Sequence, residues 1–272
     1  MNDLEKVNGA PVLNENGLIS AVPWHSWTDT KRDIEIEGKR VKVSIRIPDS
    51  WCDLGENELN KPKYFLPELN AKWIKMLSHC VMMSSENENK KDEYFALLEK
   101  VRKNFKTIFW NSEENILYNL VTVKGKRDKT PGSPTVVAFS LLLDEDIFSH
   151  HELKEFIKDV KENLLMEKNG LPFGILVKKS SKKTYYGDEE YHEAVVWPRD
   201  TPYLIRILQY AGAIEKEIME GILKSNLEHQ MKEGFVFYNS ELFSPDNEEM
   251  VPVKNPVQFW SQWVDPYLCI EK

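Results

Sequence analysis

Helical periodicity comes in consecutive pairs along this chain, with no strand-helix-strand alternation and no fixed-period repeat, so the pattern allows a packed array of helix hairpins. In PELNAKWIKMLSHCVMM, from Pro67, the residues Leu69, Trp73, Ile74, Met76 and Leu77 share one face, and Pro67 suits a first turn. A polar linker, SSENENKKDE, follows. Tyr94, Leu97, Leu98, Val101 and Phe105 then recur at spacings of three and four, which predicts a second helix and an αα-hairpin. Residues 135–143 are almost wholly apolar and predict a helix buried on every side, while 152–165 are amphipathic through Leu153, Phe156, Ile157, Val160 and Leu164. A further pair spans 202–211 and 214–231, and Glu233-Gly234 stops it. The segment DIEIEGKRVKVSIRI, 33–47, alternates around Glu37-Gly38-Lys39 and predicts a β-hairpin insertion. Lys42, Ser44 and Arg46 fall on its polar face, so it is expected to lie over the surface of a larger body.

Composition narrows the function. With 272 residues, 41% hydrophobic and 11% aromatic, the chain can bury a large core. The net charge of −8 is spread out, without a basic stripe, which argues against nucleic acid and anionic membrane as partners. Three cysteines without CxxC spacing argue against a disulfide framework and a structural zinc, and fit a reducing cytoplasm. His150-His151-Glu152 are consecutive and lack the i, i+4 spacing that aims two imidazoles at one ion. No metal and no cofactor are expected.

Tryptophans sit near turns, beside Pro, Asp or Gln, as at Trp24, Trp27, Trp197 and Trp260. Aromatic faces next to carboxylates and amides suit a sugar ring, which has an apolar face and a polar rim; core filling is the alternative. The loop GLISAVPWHSWTDT carries Asp29 between two threonines. It is either a turn residue or a carboxyl kept protonated by neighbouring indoles, able to act as an acid. Glu241, in GFVFYNSELFS, is either an exposed loop acid or a carboxylate held ionised by Asn239 and Ser240. The stretch YHEAVVWPRDTPYLIRIL mounts Tyr191, His192, Glu193, Trp197, Arg199 and Asp200 on an apolar helix. Its alternative is a core Trp197 and Tyr203 with a local Arg199–Asp200 pair.

Taken together, GLISAVPWHSWTDT, PELNAKWIKML, YHEAVVWPRDTPYLIRIL, SELFS and NPVQFWSQWVDPY resemble, in order and spacing, the C-terminal part of the amylo-α-1,6-glucosidase (glycogen debranching enzyme) family. The resemblance runs from Gly17 to the end, apart from the hairpin. It implies a mainly all-α fold, an (α/α)6 toroid shared with glucoamylase-like inverting glycosidases, with α-glucan or oligosaccharide as substrate. Carried over, Asp29 becomes the general acid and Glu241 the general base. Glu68, Asn70, Tyr191, His192 and Trp197 then line the sugar site, with Trp24, Trp27, Arg199, Asp200 and Trp260 as further substrate contacts.

This chain departs from the family where Glu193-Ala194-Val195 replaces Gly-Thr, where Trp197-Pro198-Arg199-Asp200 replaces Trp-Pro-Trp, and where Gly132-Ser133-Pro134-Thr135-Val136 replaces Arg-Pro-Asn-Gln. Twelve barrel helices need roughly 350 residues. Residues 1–272 are therefore expected to be the C-terminal portion of one incomplete barrel domain, with a second chain as the partner that completes it. The alternatives are a non-catalytic carbohydrate-binding remnant and a hydrolase of a small α-glucoside or α-mannoside.

Overall fold

The computed structural model describes residues 11–84, 86–180, 185–187, 190–212, 215–233, 235–246 and 249–261. It divides into two compact units, the first comprising residues up to Thr130 with Asp144–Phe148, the second Pro131–Leu143 and the chain from Ser149 onward.

In the first unit β1 (Val12–Leu13), β2 (Ile19–Ala21), β5 (Tyr64–Phe65), β8 (Leu120–Thr122) and β9 (Arg127–Asp128) form an antiparallel sheet in the order β1-β2-β5-β8-β9. The strands β3 (Lys31–Ile36) and β4 (Lys39–Ser44) make the expected hairpin, turning at Glu37-Gly38 with both φ values positive. Its position corrects the sequence reading. Val41, Val43 and Ile47 pack with Trp51, Leu59, Tyr64, Leu66 and Leu120 in one apolar cluster, and Ser44 and Arg46 are buried rather than solvent-facing. The chain from Pro48 reads as irregular but holds a 3₁₀ turn, Asp49–Leu54, and the short α1 (Glu56–Leu59).

Helix α2 (Pro67–Met83) has the bounds its periodicity predicts, and α3 (Glu88–Phe109) packs against it. The start of α3 lies inside the segment read as linker, because Asn87 caps it by accepting from the Lys90 N–H at 3.2 Å. Lys75 and Ser78 from α2 and Arg102 from α3 all donate to Glu145. Burial alone would raise the Glu145 carboxyl, but these donors outweigh it and hold it below the usual carboxylate value. Two further strands, β6 (Trp110–Asn111) and β7 (Ile116–Leu117), pair beyond α3.

In the second unit α4 (Ser133–Leu141) is buried along nearly its whole length, as its apolar sequence predicts. Helix α5 (His150–Asn163) opens with a capping box: Ser149 and Glu152 bond each other's backbone N–H, so Glu152 serves the helix start. Two hairpins went unread in the sequence, β10 (Leu165–Lys168) with β11 (Leu171–Ile175), and β12 (Leu242–Asp246) with β13 (Glu249–Val253). Helices α6 (Thr201–Ala211) and α7 (Lys216–Lys232) form the last pair. The stop assigned to Gly234 lies outside the described residues. At Gly174 a Cβ would stand 2.6 Å from Val196, so only glycine lets β11 approach the segment carrying Trp197. The fold is mainly helical, yet its strands extend well beyond the single hairpin expected.

Candidate active site

Val196 anchors the site of the second unit. It bridges Leu176 on one side and Phe243 on the other, so Tyr191–Trp197 and Glu241 belong to neighbouring strands of backbone. Glu241 is 2% exposed. Its carboxylate accepts from the Tyr191 hydroxyl, from Asn255 Nδ2 at 2.5 Å and from Gln258 Nε2 at 2.8 Å. Its backbone N–H donates to the Asn255 carbonyl at 2.8 Å, and Ser261 Oγ donates to its carbonyl at 3.0 Å. Burial, followed by the bond to Glu241, pushes the Tyr191 phenol above its ordinary value.

These partners differ from those the sequence suggests. Asn239 Nδ2 donates to the Ser261 carbonyl at 3.2 Å, and the Ser240 N–H donates to His229 Nε2 at 3.4 Å. His229 is buried, with Nδ1 2.9 Å from Glu233 Oε2, which also pairs with Lys168 at 3.1 Å. Burial lowers the His229 pKa and outweighs Glu233, which acts to raise it. A neutral ring that accepts at Nε2 and donates from Nδ1 fits both contacts.

Around this carboxylate the rings cluster. His192 stacks on Trp197 with centroids 5.2 Å apart, and Tyr191 meets Trp197 edge-on at 4.9 Å. Trp197 Nε1 donates to the Tyr191 carbonyl at 3.2 Å. The Arg199 guanidinium lies 3.4 Å from the Trp197 ring centre, and its Nε is 3.4 Å from Asp200 Oδ1. Asp200 is fully buried and accepts from Ser133 Oγ, while Glu193 pairs with Lys178 at 3.3 Å. The side chain of Trp260 lies outside the described residues.

The first unit holds the other candidates. Asp29 is exposed, between Thr28, which is buried, and Thr30, whose carbonyl accepts from the Ile45 N–H at 3.1 Å. The indole shielding expected from the sequence is not what the structure has. Lys31 Nζ lies 4.3 Å from the Trp24 ring centre and Lys72 Nζ 4.1 Å from that of Trp27. Glu68 is buried against Arg46, which forks onto both carboxylate oxygens. The Asn70 amide accepts from the Ile19 N–H at 2.8 Å and donates to the Ile19 and Leu66 carbonyls, so it holds β2 against α2. Among the described residues no group of three or more His, Cys, Asp or Glu could hold a metal ion, and no helix is long and apolar enough to cross a membrane.

Residues 51–264 match the family of amylo-alpha-1,6-glucosidase. The chain belongs to that family. The amylo-alpha-1,6-glucosidase match contains Glu68, Tyr191, Trp197 and Glu241 and begins beyond Asp29. No curated protein matches the chain. Among solved structures it is similar to the GH63 mannosylglycerate hydrolase from Thermus thermophilus, at 13% identity and TM-score 0.56, over 94% of this chain and 65% of that one. It is also similar to the neutral trehalase from Saccharomyces cerevisiae, at 9% identity and TM-score 0.53, over 72% of this chain and 36% of that one. For the GH78 rhamnosidase of a Bacillus species the figures are 9%, 0.51, 92% and 21%. At such identities the likeness is one of fold, and the chain spans well under the full length of each.

Four residues of these sites were given no site role by the sequence: Arg46, His229, Asn255 and Gln258. Gln258 stood among the aromatic residues of NPVQFWSQW, and Asn255 only preceded a proline. Arg46 carried a signal, a lone charge between Ile45 and Ile47 where the chain leaves its hairpin.

Proposed function

We propose that this chain is part of a glycoside hydrolase of the debranching α-1,6-glucosidase type, acting on α-linked glucans by inversion within an (α/α)6 toroid of which it forms the C-terminal portion. The observation that carries the reading is the setting of Glu241: a buried carboxylate oriented by three neutral side-chain donors, beside a cluster of aromatic rings. Neutral donors fix a carboxylate in direction without cancelling its charge, which is what a base that takes a proton from water needs. In this mechanism Asp29 protonates the glycosidic oxygen as its bond to the anomeric carbon breaks. Water attacks from the opposite face and Glu241 receives its proton.

The test is sugar release from branched and linear α-glucans, by this chain alone and with a second chain supplying further barrel helices, with the anomer formed followed by NMR. Loss of turnover in both Asp29→Asn and Glu241→Gln, with inverted product, is the expected result. Unchanged turnover in either variant removes the role given to it, and binding without turnover in the unmodified chain points to a carbohydrate-binding remnant. One observation favours a second reading, hydrolysis of a small α-glucoside or α-mannoside: the Trp197 ring is buried beneath Arg199 and presents no open face on which an extended glucan could stack. Faster turnover of small glycosides than of glucans would establish that reading instead.

A further inference from the structure

In the first unit a buried side chain joins the loop of Asp29 to the body beneath it. Arg46, 2% exposed, donates from Nη1 to Glu68 Oε1 and to Ser26 Oγ at 3.2 Å. From Nη2 it reaches Glu68 Oε2 at 3.3 Å, the Asn119 carbonyl at 2.6 Å and Asn119 Oδ1 at 3.2 Å. Ser26 Oγ donates onward to the Pro23 carbonyl at 2.7 Å. The neighbouring Ile45 N–H holds the Thr30 carbonyl at 3.1 Å. Two consecutive residues at the exit of the β3-β4 hairpin thus secure the loop at Pro23, Ser26 and Thr30, on both sides of Asp29.

Burying an ion pair is a poor way to gain stability, because the desolvation cost consumes most of the attraction. What a planar, permanently charged fork supplies is direction, and here it aims at three chain segments at once. We infer that Arg46 is a positioning residue, and that the β3-β4 hairpin is retained because its exit fixes the Asp29 loop relative to Glu68 and Asn119. The catalytic part of this inference rests on the role proposed for Asp29; the clamp itself does not.

The two are separated by measuring amide exchange and turnover on the full chain. In Arg46→Met, peptides covering 20–30 should exchange at least about tenfold faster, while peptides of α4 and α5 keep their rates. Turnover should fall about 100-fold through kcat with KM little changed, as expected when an acid is displaced by an ångström. Arg46→Lys, which keeps the charge but not the fork, should recover part of both. Unchanged exchange at 20–30 in a folded Arg46→Met overturns the clamp. Faster exchange with full turnover in Asp29→Asn keeps the clamp and overturns the catalytic role instead. If Arg46→Met does not fold, Ser26→Ala decides: it removes only the loop contact and should loosen 20–30 alone, and no change there sinks the inference.

Discussion

Glu241 and Glu68 are both 2% exposed and both bound by several donors, yet their partners differ in kind. Glu68 meets a guanidinium that never gives up its charge, whereas Glu241 meets a phenol and two amides. The first carboxylate is neutralised and belongs to the framework. The second is met by three donors that carry no charge. On the role proposed for Glu241, the same residue type, equally buried, is a strut in one unit and a reagent in the other.

The hardest test of this contrast is Glu241→Gln. An amide keeps the size and most contacts but cannot accept a proton, so turnover should drop by about 10²–10⁴-fold with little change in melting temperature. Glu68→Gln should show the opposite balance, because it leaves Arg46 buried without its counter-charge, at a stability cost of about 3–5 kcal/mol in urea unfolding. Combining Glu68→Gln with Arg46→Met should cost less than the sum of the two. Equal effects on turnover and stability in both units would erase the distinction.

How much of this could be read beforehand follows from the range of the interactions. Helices α2, α5 and α7 were legible because the period of their apolar residues is a local property, and α4 because nothing polar interrupts it. The β12-β13 hairpin was not, since Pro245 and Pro252 break the strand signal. Tyr191 and Glu241 could be named, but their bond joins positions fifty residues apart and has no sequence signature. Arg46 was misassigned by the alternation rule itself. Strict period two put it with Lys42 on a wet face, whereas the strand ends at Ser44 and the chain turns inward.

A smaller effect is expected from Tyr191→Phe. It removes one of the three donors, which should cost about 1 kcal/mol of stability and lower turnover by roughly tenfold through a less firmly held Glu241. It also bears on alkaline pH. The folded phenol titrates above its unfolded value, so its contribution is fully present below the unfolded pKa, near 10, and is lost as pH rises through the folded one. Stability measured from pH 9 upward should fall less steeply in Tyr191→Phe. An unaltered slope would mean that this phenol is not held neutral by its surroundings.

The least effect, and the finest discrimination between the units, lies at His229. Its folded pKa is depressed, first by burial, against Glu233, which raises it, and with Lys168 nearby also lowering it. The stabilisation it provides is therefore present above its unfolded pKa, near 6.5, and is lost as pH falls towards the folded value. Protonation adds a donor at Nε2, where the ring now accepts from the Ser240 N–H, so the backbone carrying Glu241 loses its support. Between pH 7 and pH 5 the unfolding free energy should decline with a slope of at most about 1.4 kcal/mol per pH unit from this group. His229→Gln should flatten that decline, and amide exchange at 239–243 should quicken on acidification while 20–30 stays still. The Arg46 contact to the 20–30 loop lacks this sensitivity, because Arg46 holds its charge throughout that range. Equal quickening at 20–30 and 239–243 would show that acid loosens the whole chain, and that the phenol, imidazole and amides of the second unit give it no acid sensitivity of its own.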